Sequence, residues 1–126
     1  MASVDLSNKE IKSFNDPRIK ELPHNVEKLY LYGNQIESFE FSENLPKGLK
    51  DLFLGYNQFT SFKFCEGLPK GLEYLYIGYN QISSFEFCEG LPKTLNDIYM
   101  RYNKISSFDH SEKLPRSIEK LDLTFR

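Results

Sequence analysis

Apolar residues recur along this chain as a short beat inside a long one. The short beat is an alternation: Leu29-x-Leu31, Leu52-x-Leu54, Leu75-x-Ile77 and Ile98-x-Met100 place an apolar side chain at every second position. Such alternation predicts a strand that turns its leucines to one side and the residues between them to the other. The long beat is set by Leu-Pro, at Leu22-Pro23, Leu45-Pro46, Leu68-Pro69, Leu91-Pro92 and Leu114-Pro115, always 23 residues apart. A fixed period of this length marks a solenoid, whose coils cannot bury their apolar faces singly and do so by stacking. Six strands are predicted, near Val4–Leu6, Leu29–Leu31, Leu52–Leu54, Leu75–Ile77, Ile98–Met100 and Leu121–Leu123. Stacked about 4.8 Å apart, they form one parallel sheet over a continuous core. The rest of each coil carries Pro and no helical periodicity, so extended segments or 3-10 turns are expected there rather than α-helices.

The full copies follow L-x-x-L-x-L-x-x-N-x-L: Val26/Leu29/Leu31/Asn34/Ile36, Leu49/Leu52/Leu54/Asn57/Phe59, Leu72/Leu75/Ile77/Asn80/Ile82 and Leu95/Ile98/Met100/Asn103/Ile105. The N-terminal Val4, Leu6, Ile11 and Phe14 align with Leu29, Leu31, Ile36 and Phe39 at a distance of 25, two residues longer around Asn15-Asp16-Pro17. Residues 1–21 are therefore expected to form a capping coil, 22–113 four full repeats and 114–126 a truncated last repeat, all in one domain. This pattern resembles the leucine-rich repeat family over nearly the whole chain. Leu-Pro before each strand and the S-F-x-F tail look most like short repeats of bacterial effectors, amoebae and large amoebal DNA viruses. The resemblance implies a mostly β solenoid of the α/β repeat type: a right-handed curved stack with a parallel concave sheet of about six strands and short extended or 3-10 convex segments. It also implies that Asn34, Asn57, Asn80 and Asn103 bond the backbone where the chain turns inward, an obligation of any buried backbone. The column Phe14, Phe39, Phe62, Phe85 and Phe108 is expected in the core, joined by Phe41, Phe64 and Phe87, with His110 at the equivalent place.

In that family the variable positions of the repeat make the concave face. Between the strand leucines stand Asp5, Tyr30, Phe53, Tyr76, Tyr99 and Asp122; just before the Asn stand Gly33, Tyr56, Tyr79 and Tyr102, with Phe125 at the end. Tyr32 and Tyr74 fall in neighbouring columns, so all eight tyrosines share this face, with Phe53 and Phe125 the only phenylalanines there. Tyrosine suits a ring with one wet end, phenylalanine a buried ring. Two readings follow. The columns bind a partner protein, because tyrosine offers rigid contact area at low entropy cost, or they are ladders that stabilise the sheet itself. On the first reading Tyr30, Tyr32, Phe53, Tyr56, Tyr74, Tyr76, Tyr79, Tyr99, Arg101 and Tyr102 are the contacts. Gly55 and Gly78 then leave room for the partner, and Lys28, Asp51, Asp97, Arg101 and Lys120 orient it.

Composition narrows the function classes. Sixteen Lys+Arg against eighteen Asp+Glu argue against a nucleic-acid binder, although an aromatic platform for sugars or single strands is a further reading. Neither a signal peptide nor an apolar run of membrane-spanning length is visible, so an intracellular protein, cytoplasmic or nuclear, is expected. Cys65 and Cys88 share a column with Ser42 and Ser111 and read as free thiols at a small-residue position. The rows Glu43/Glu66/Glu89/Glu112 and Lys47/Lys70/Lys93/Arg116 are expected to pair at the surface, and Ser13, Ser38, Ser61, Ser84 and Ser107 to bond local turns. His24 and His110 lie in different columns, so no metal site or cofactor is implied, and no catalytic set occurs at motif spacing. A non-enzymatic protein-binding module is the first reading. The alternative is a self-assembling structural component, such as a virion protein or end-to-end homodimer, joined through Leu121, Leu123 and Phe125 on an unpaired last strand.

Overall fold

A computed structural model describes residues 2–124. Six strands, β1 (Ala2–Asp5), β2 (Val26–Tyr30), β3 (Asp51–Phe53), β4 (Tyr74–Tyr76), β5 (Asp97–Tyr99) and β6 (Lys120–Asp122), form one sheet in the order of the sequence. All neighbours are parallel. The register places Leu29, Leu52, Leu75, Ile98 and Leu121 in one line across the sheet, and Tyr30, Phe53, Tyr76, Tyr99 and Asp122 in the next. The strands lie slightly N-terminal of their expected positions, because the second apolar residue of each L-x-L pair already belongs to the turn. Its N–H still bonds across, as from Leu54 to the Tyr76 carbonyl. Phe125, expected in the self-association set, lies outside the described residues. β6 pairs with β5, and Leu121 within it and Leu123 just after it are half-buried.

The asparagines hold the turn. Asn57 accepts the N–H of Ile36 from the preceding coil on Oδ1 at 3.0 Å, and its Nδ2 donates to the carbonyls of Leu31 (2.9 Å) and Leu54 (3.1 Å). Asn34, Asn80 and Asn103 repeat this with their own neighbours, and all four are buried. One carboxamide thus satisfies a donor in one coil and acceptors in two, where buried backbone would otherwise be unpaired.

On the return side, 3-10 turns occupy Ser42–Asn44, Cys65–Gly67, Cys88–Gly90 and Ser111–Lys113. Each stops at a leucine in extended conformation. This is the geometry that a following proline imposes, which gives Leu-Pro its place in the repeat. The capping coil departs from the expectation of no α-helix. Its two extra residues close one α-helical turn, α1 (Pro17–Lys20), where Asp16 Oδ1 accepts the Arg18 N–H at 2.8 Å and Ile19 is fully buried.

Phe14, Phe39, Phe62 and Phe85 are fully buried and run down the core, but other phenylalanines correct the expectation. Phe41, Phe64 and Phe87 are 39%, 41% and 41% exposed, and His110 is exposed. These four residues take left-handed backbone just before the 3-10 turns, at φ 68, 70, 71 and 71. There the chain reverses, and Phe41, Phe64 and Phe87 on the outside of the bend cannot reach the core that Phe39, Phe62 and Phe85, two positions earlier, fill. Phe108 is 63% exposed; it ends its column with Phe85 as its one ring neighbour among the described residues, 6.1 Å away. The serine column bonds as expected: Oγ of Ser13, Ser38, Ser61, Ser84 and Ser107 accepts the N–H two residues on. The Glu and Lys rows do not pair with each other. Among the described residues the ion pairs are Arg18–Asp16, Lys28–Asp51, Lys50–Glu73 and Arg101–Asp122.

Candidate functional site

The sheet face away from the core carries two aromatic stacks. In the first, strand register sets Tyr30, Phe53 and Tyr76 one above another, with ring centroids 4.4 and 4.5 Å apart and planes within 9° and 4° of parallel. Tyr99 continues the line tilted, 6.0 Å from Tyr76. The second stack, Tyr56, Tyr79 and Tyr102, stands on the turns after β3, β4 and β5, with spacings of 4.3 and 4.5 Å. These three tyrosines hold left-handed backbone, at φ 58, 57 and 61. Asn8 and Gly33, residues that tolerate this region, occupy the same column at φ 57 and 68. That pair was the sequence signal for a left-handed turn here.

No tyrosine of the eight is buried, whereas five of the described phenylalanines are completely so. Tyr56 and Tyr79 are the most open, at 57% and 42% exposure. Tyr32 lies 5.8 Å from Phe53 and 6.3 Å from Tyr30, between the stacks. It also settles the role of Gly55. A Cβ there would come within 2.9 Å of the Tyr32 ring, so the glycine accommodates this protein's own tyrosine instead of opening space for a partner. Gly78 is likewise occupied from within, with the Arg101 carbonyl 3.2 Å and the Tyr99 ring 3.7 Å from an added Cβ. Between the stacks remains a shallow groove of about 400 Å³ lined by Tyr32, Phe53, Gly55, Tyr56, Tyr76, Gly78, Tyr79 and Tyr99. Of its lining rings, Phe53 and Tyr79 are stacked on both sides, whereas Tyr32 and Tyr99 stand tilted against their neighbours.

Charge lies at the margins. Lys28 Nζ is 3.7 Å from Asp51 across β2 and β3, and burial still pushes the Asp51 carboxyl above its usual range. Tyr74 stands in the same line of the sheet, between Asp51 and Asp97. Burial, and then the carboxylates of Asp51 and Asp97, raise the Tyr76 phenol. Burial also raises Tyr32 and Tyr79. These three hydroxyls therefore remain protonated donors throughout the neutral range. At the other end Arg101 Nε donates to Asp122 at 2.8 Å while its guanidinium lies 4.9 Å from the Tyr99 ring centre. The candidate contacts thus fall on one face, but Arg101 already has two partners within the chain.

Away from this face, Cys65 and Cys88 are free, buried thiols that donate to the carbonyls of Phe87 and His110, each at 3.4 Å. Burial pushes them up to about 12 and about 11, so they are poor nucleophiles at neutral pH. His24 Nδ1 accepts the Lys47 N–H at 3.2 Å, a tie between coils. No group of three or more His, Cys, Asp or Glu among the described residues is placed to hold a metal ion. No helix among them is long and apolar enough to cross a membrane.

Parallel strands one coil apart, asparagine-bonded turns and 3-10 returns define a leucine-rich-repeat type of solenoid. Among solved structures the chain is similar to the leucine-rich-repeat domain of a Shigella effector, with a TM-score of 0.64 and 24% identity over 96% of this chain. It covers 48% of that domain, about half its length. At this identity the likeness is one of fold. No family model matches the chain, and no curated protein does.

Proposed function

We propose that the chain is a non-enzymatic, intracellular protein-interaction module, one repeat domain that docks a partner protein on its tyrosine-rich sheet face. The observation that carries this reading is the pair of half-open aromatic stacks flanking one groove. A contiguous exposed aromatic patch on a protein surface marks an interaction site more often than not. Stacking refines the mode of contact: where the rings are stacked, the partner meets their edges and phenol hydroxyls along the groove, with Tyr56 and Tyr79 giving the most area. Tyr30, Tyr32, Phe53, Tyr74, Tyr76, Tyr99 and Tyr102 complete the surface, and Arg101 contributes orientation from its pair with Asp122. The two free buried thiols agree with a reducing compartment.

Replacing Tyr76→Ala and Tyr79→Ala removes the centre of each stack. Quantitative affinity capture with the native chain and this variant should show roughly a tenfold or greater loss of the retained partner. Circular dichroism should report the same fold. The Tyr76→Phe, Tyr79→Phe variant keeps both stacks and isolates the hydroxyls. Unchanged capture by a folded Ala double variant would reduce the face to a ladder that only stabilises the sheet.

A further inference from the structure

The row Phe41, Phe64, Phe87 is an exposed apolar feature that neither the core nor the tyrosine face uses. Each ring is about two-fifths exposed, and each sits on a left-handed residue. The fold needs that backbone conformation, but it does not need phenylalanine to supply it. Asparagine or glycine would adopt it with less strain, and a bulky residue there is an outlier. The groove between Phe41 and Phe64 is acidic, while Lys47 and Lys70 line the next hollow along with Glu43 and Glu66. The acidic groove, of about 280 Å³, is lined by Glu40, Phe41, Glu43, Phe64, Glu66 and Gly67, three carboxylates and no cation. None of the three carboxylates is in an ion pair among the described residues. The row also accepts cations: Lys63 Nζ already lies 5.3 Å from the centre of the Phe64 ring.

We propose that this row is a second docking surface, separate from the tyrosine face, for a cationic amphipathic polypeptide segment. Its apolar side chains would lie along Phe41, Phe64 and Phe87 while its Lys or Arg residues meet Glu40, Glu43 and Glu66. Charge complementarity selects this occupant, and the same carboxylates oppose an anionic membrane surface.

The test uses the full chain and a synthetic Lys/Leu peptide patterned as an amphipathic helix, with the matching Glu/Leu peptide as counter-probe, titrated by calorimetry. The Lys/Leu peptide should bind saturably and the Glu/Leu peptide should not. Phe64→Asn with Phe87→Asn suits the left-handed backbone, so the variant stays folded, and it should weaken binding roughly tenfold or more. Glu43→Gln with Glu66→Gln should weaken it and flatten its salt dependence. Tyr79→Ala should leave it unchanged. Absence of saturable binding overturns the proposal. So does loss in the Glu variant with none in the Phe variant, which would show general acidity only. Loss confined to Tyr79→Ala would put the peptide on the other face and overturn it too. Self-association of the chain alone, abolished by Phe64→Asn, would make a second copy the occupant and likewise refute it.

Discussion

Phe62 and Phe64 are two residues apart, identical in kind and repeated in register down the stack, yet one is fully buried and the other is 41% exposed. The backbone between them explains the difference. Phe62 precedes the bend and points into the stack, 6.3 Å from Phe39 and 6.4 Å from Phe85. Phe64 sits on the bend at φ 70, where the chain has begun to turn outward, and Cys65 immediately after it is buried again. In a solenoid, burial belongs to the position in the coil and not to the hydrophobicity of the residue placed there. A repeat can therefore present apolar side chains outward at the same period at which it buries others.

The sharpest way to break this comparison is to truncate both rings. Phe62→Ala should lose about 3–5 kcal/mol of unfolding free energy by urea titration, the range for a buried aromatic whose cavity cannot close. Phe64→Ala should lose about 1 kcal/mol or less. Equal losses would mean that the outer ring is part of the core in solution. Next in size is Asn80→Ala. It leaves the Phe59 N–H unpaired and strips donors from the carbonyls of Leu54 and Ile77, so a loss of about 2–3 kcal/mol is expected. An unchanged urea midpoint would show that water reaches the turn and replaces the carboxamide.

The smallest effect concerns Cys65, the buried neighbour of Phe64. Burial raises its thiol from 9.0 to about 12 and that of Cys88 to about 11. The folded chain then keeps protons that the unfolded chain releases. This contribution is fully present below pH 9 and is lost as pH rises from about 9 through about 11 for Cys88 and about 12 for Cys65. Urea midpoints of the native chain and of Cys65→Ala with Cys88→Ala should fall by different amounts between neutral and alkaline pH, the native chain losing more. Parallel curves would place the thiols in contact with water.

Much of this molecule was legible in one dimension. The spacing of Leu-Pro sets the coil length, and the alternation in L-x-L sets the strands and the inward side. The asparagines fall where buried backbone needs a donor and an acceptor together. Each of these is a local constraint repeated at a fixed interval, so the pattern itself carries it. The outward placement of Tyr30, Tyr74, Tyr76 and Tyr99 follows from the same alternation, whereas Tyr56, Tyr79 and Tyr102 reach that face from left-handed turns. The helical turn α1 was less legible, because its two extra residues break the period that made the other coils readable, although Asp16-Pro17 is a helix-start signal.

What the tertiary structure alone decided is which neighbour fills each space. Sequence placed Gly55 beside Tyr56 but could not show that the Tyr32 ring, from the coil before, occupies the place of its missing Cβ. It put Phe41, Phe64 and Phe87 with the core residues, since nothing in their column is glycine or asparagine to betray a left-handed bend. It paired the glutamate and lysine rows by proximity along the chain, whereas three of the four ion pairs among the described residues join neighbouring coils, as in Lys28–Asp51 and Arg101–Asp122, and none uses those rows. Composition and period fix what each coil must do for its own backbone. The direction of a side chain at a bend, and the contact it makes one coil away, depend on φ and on stacking distance, which exist only once the coils are packed.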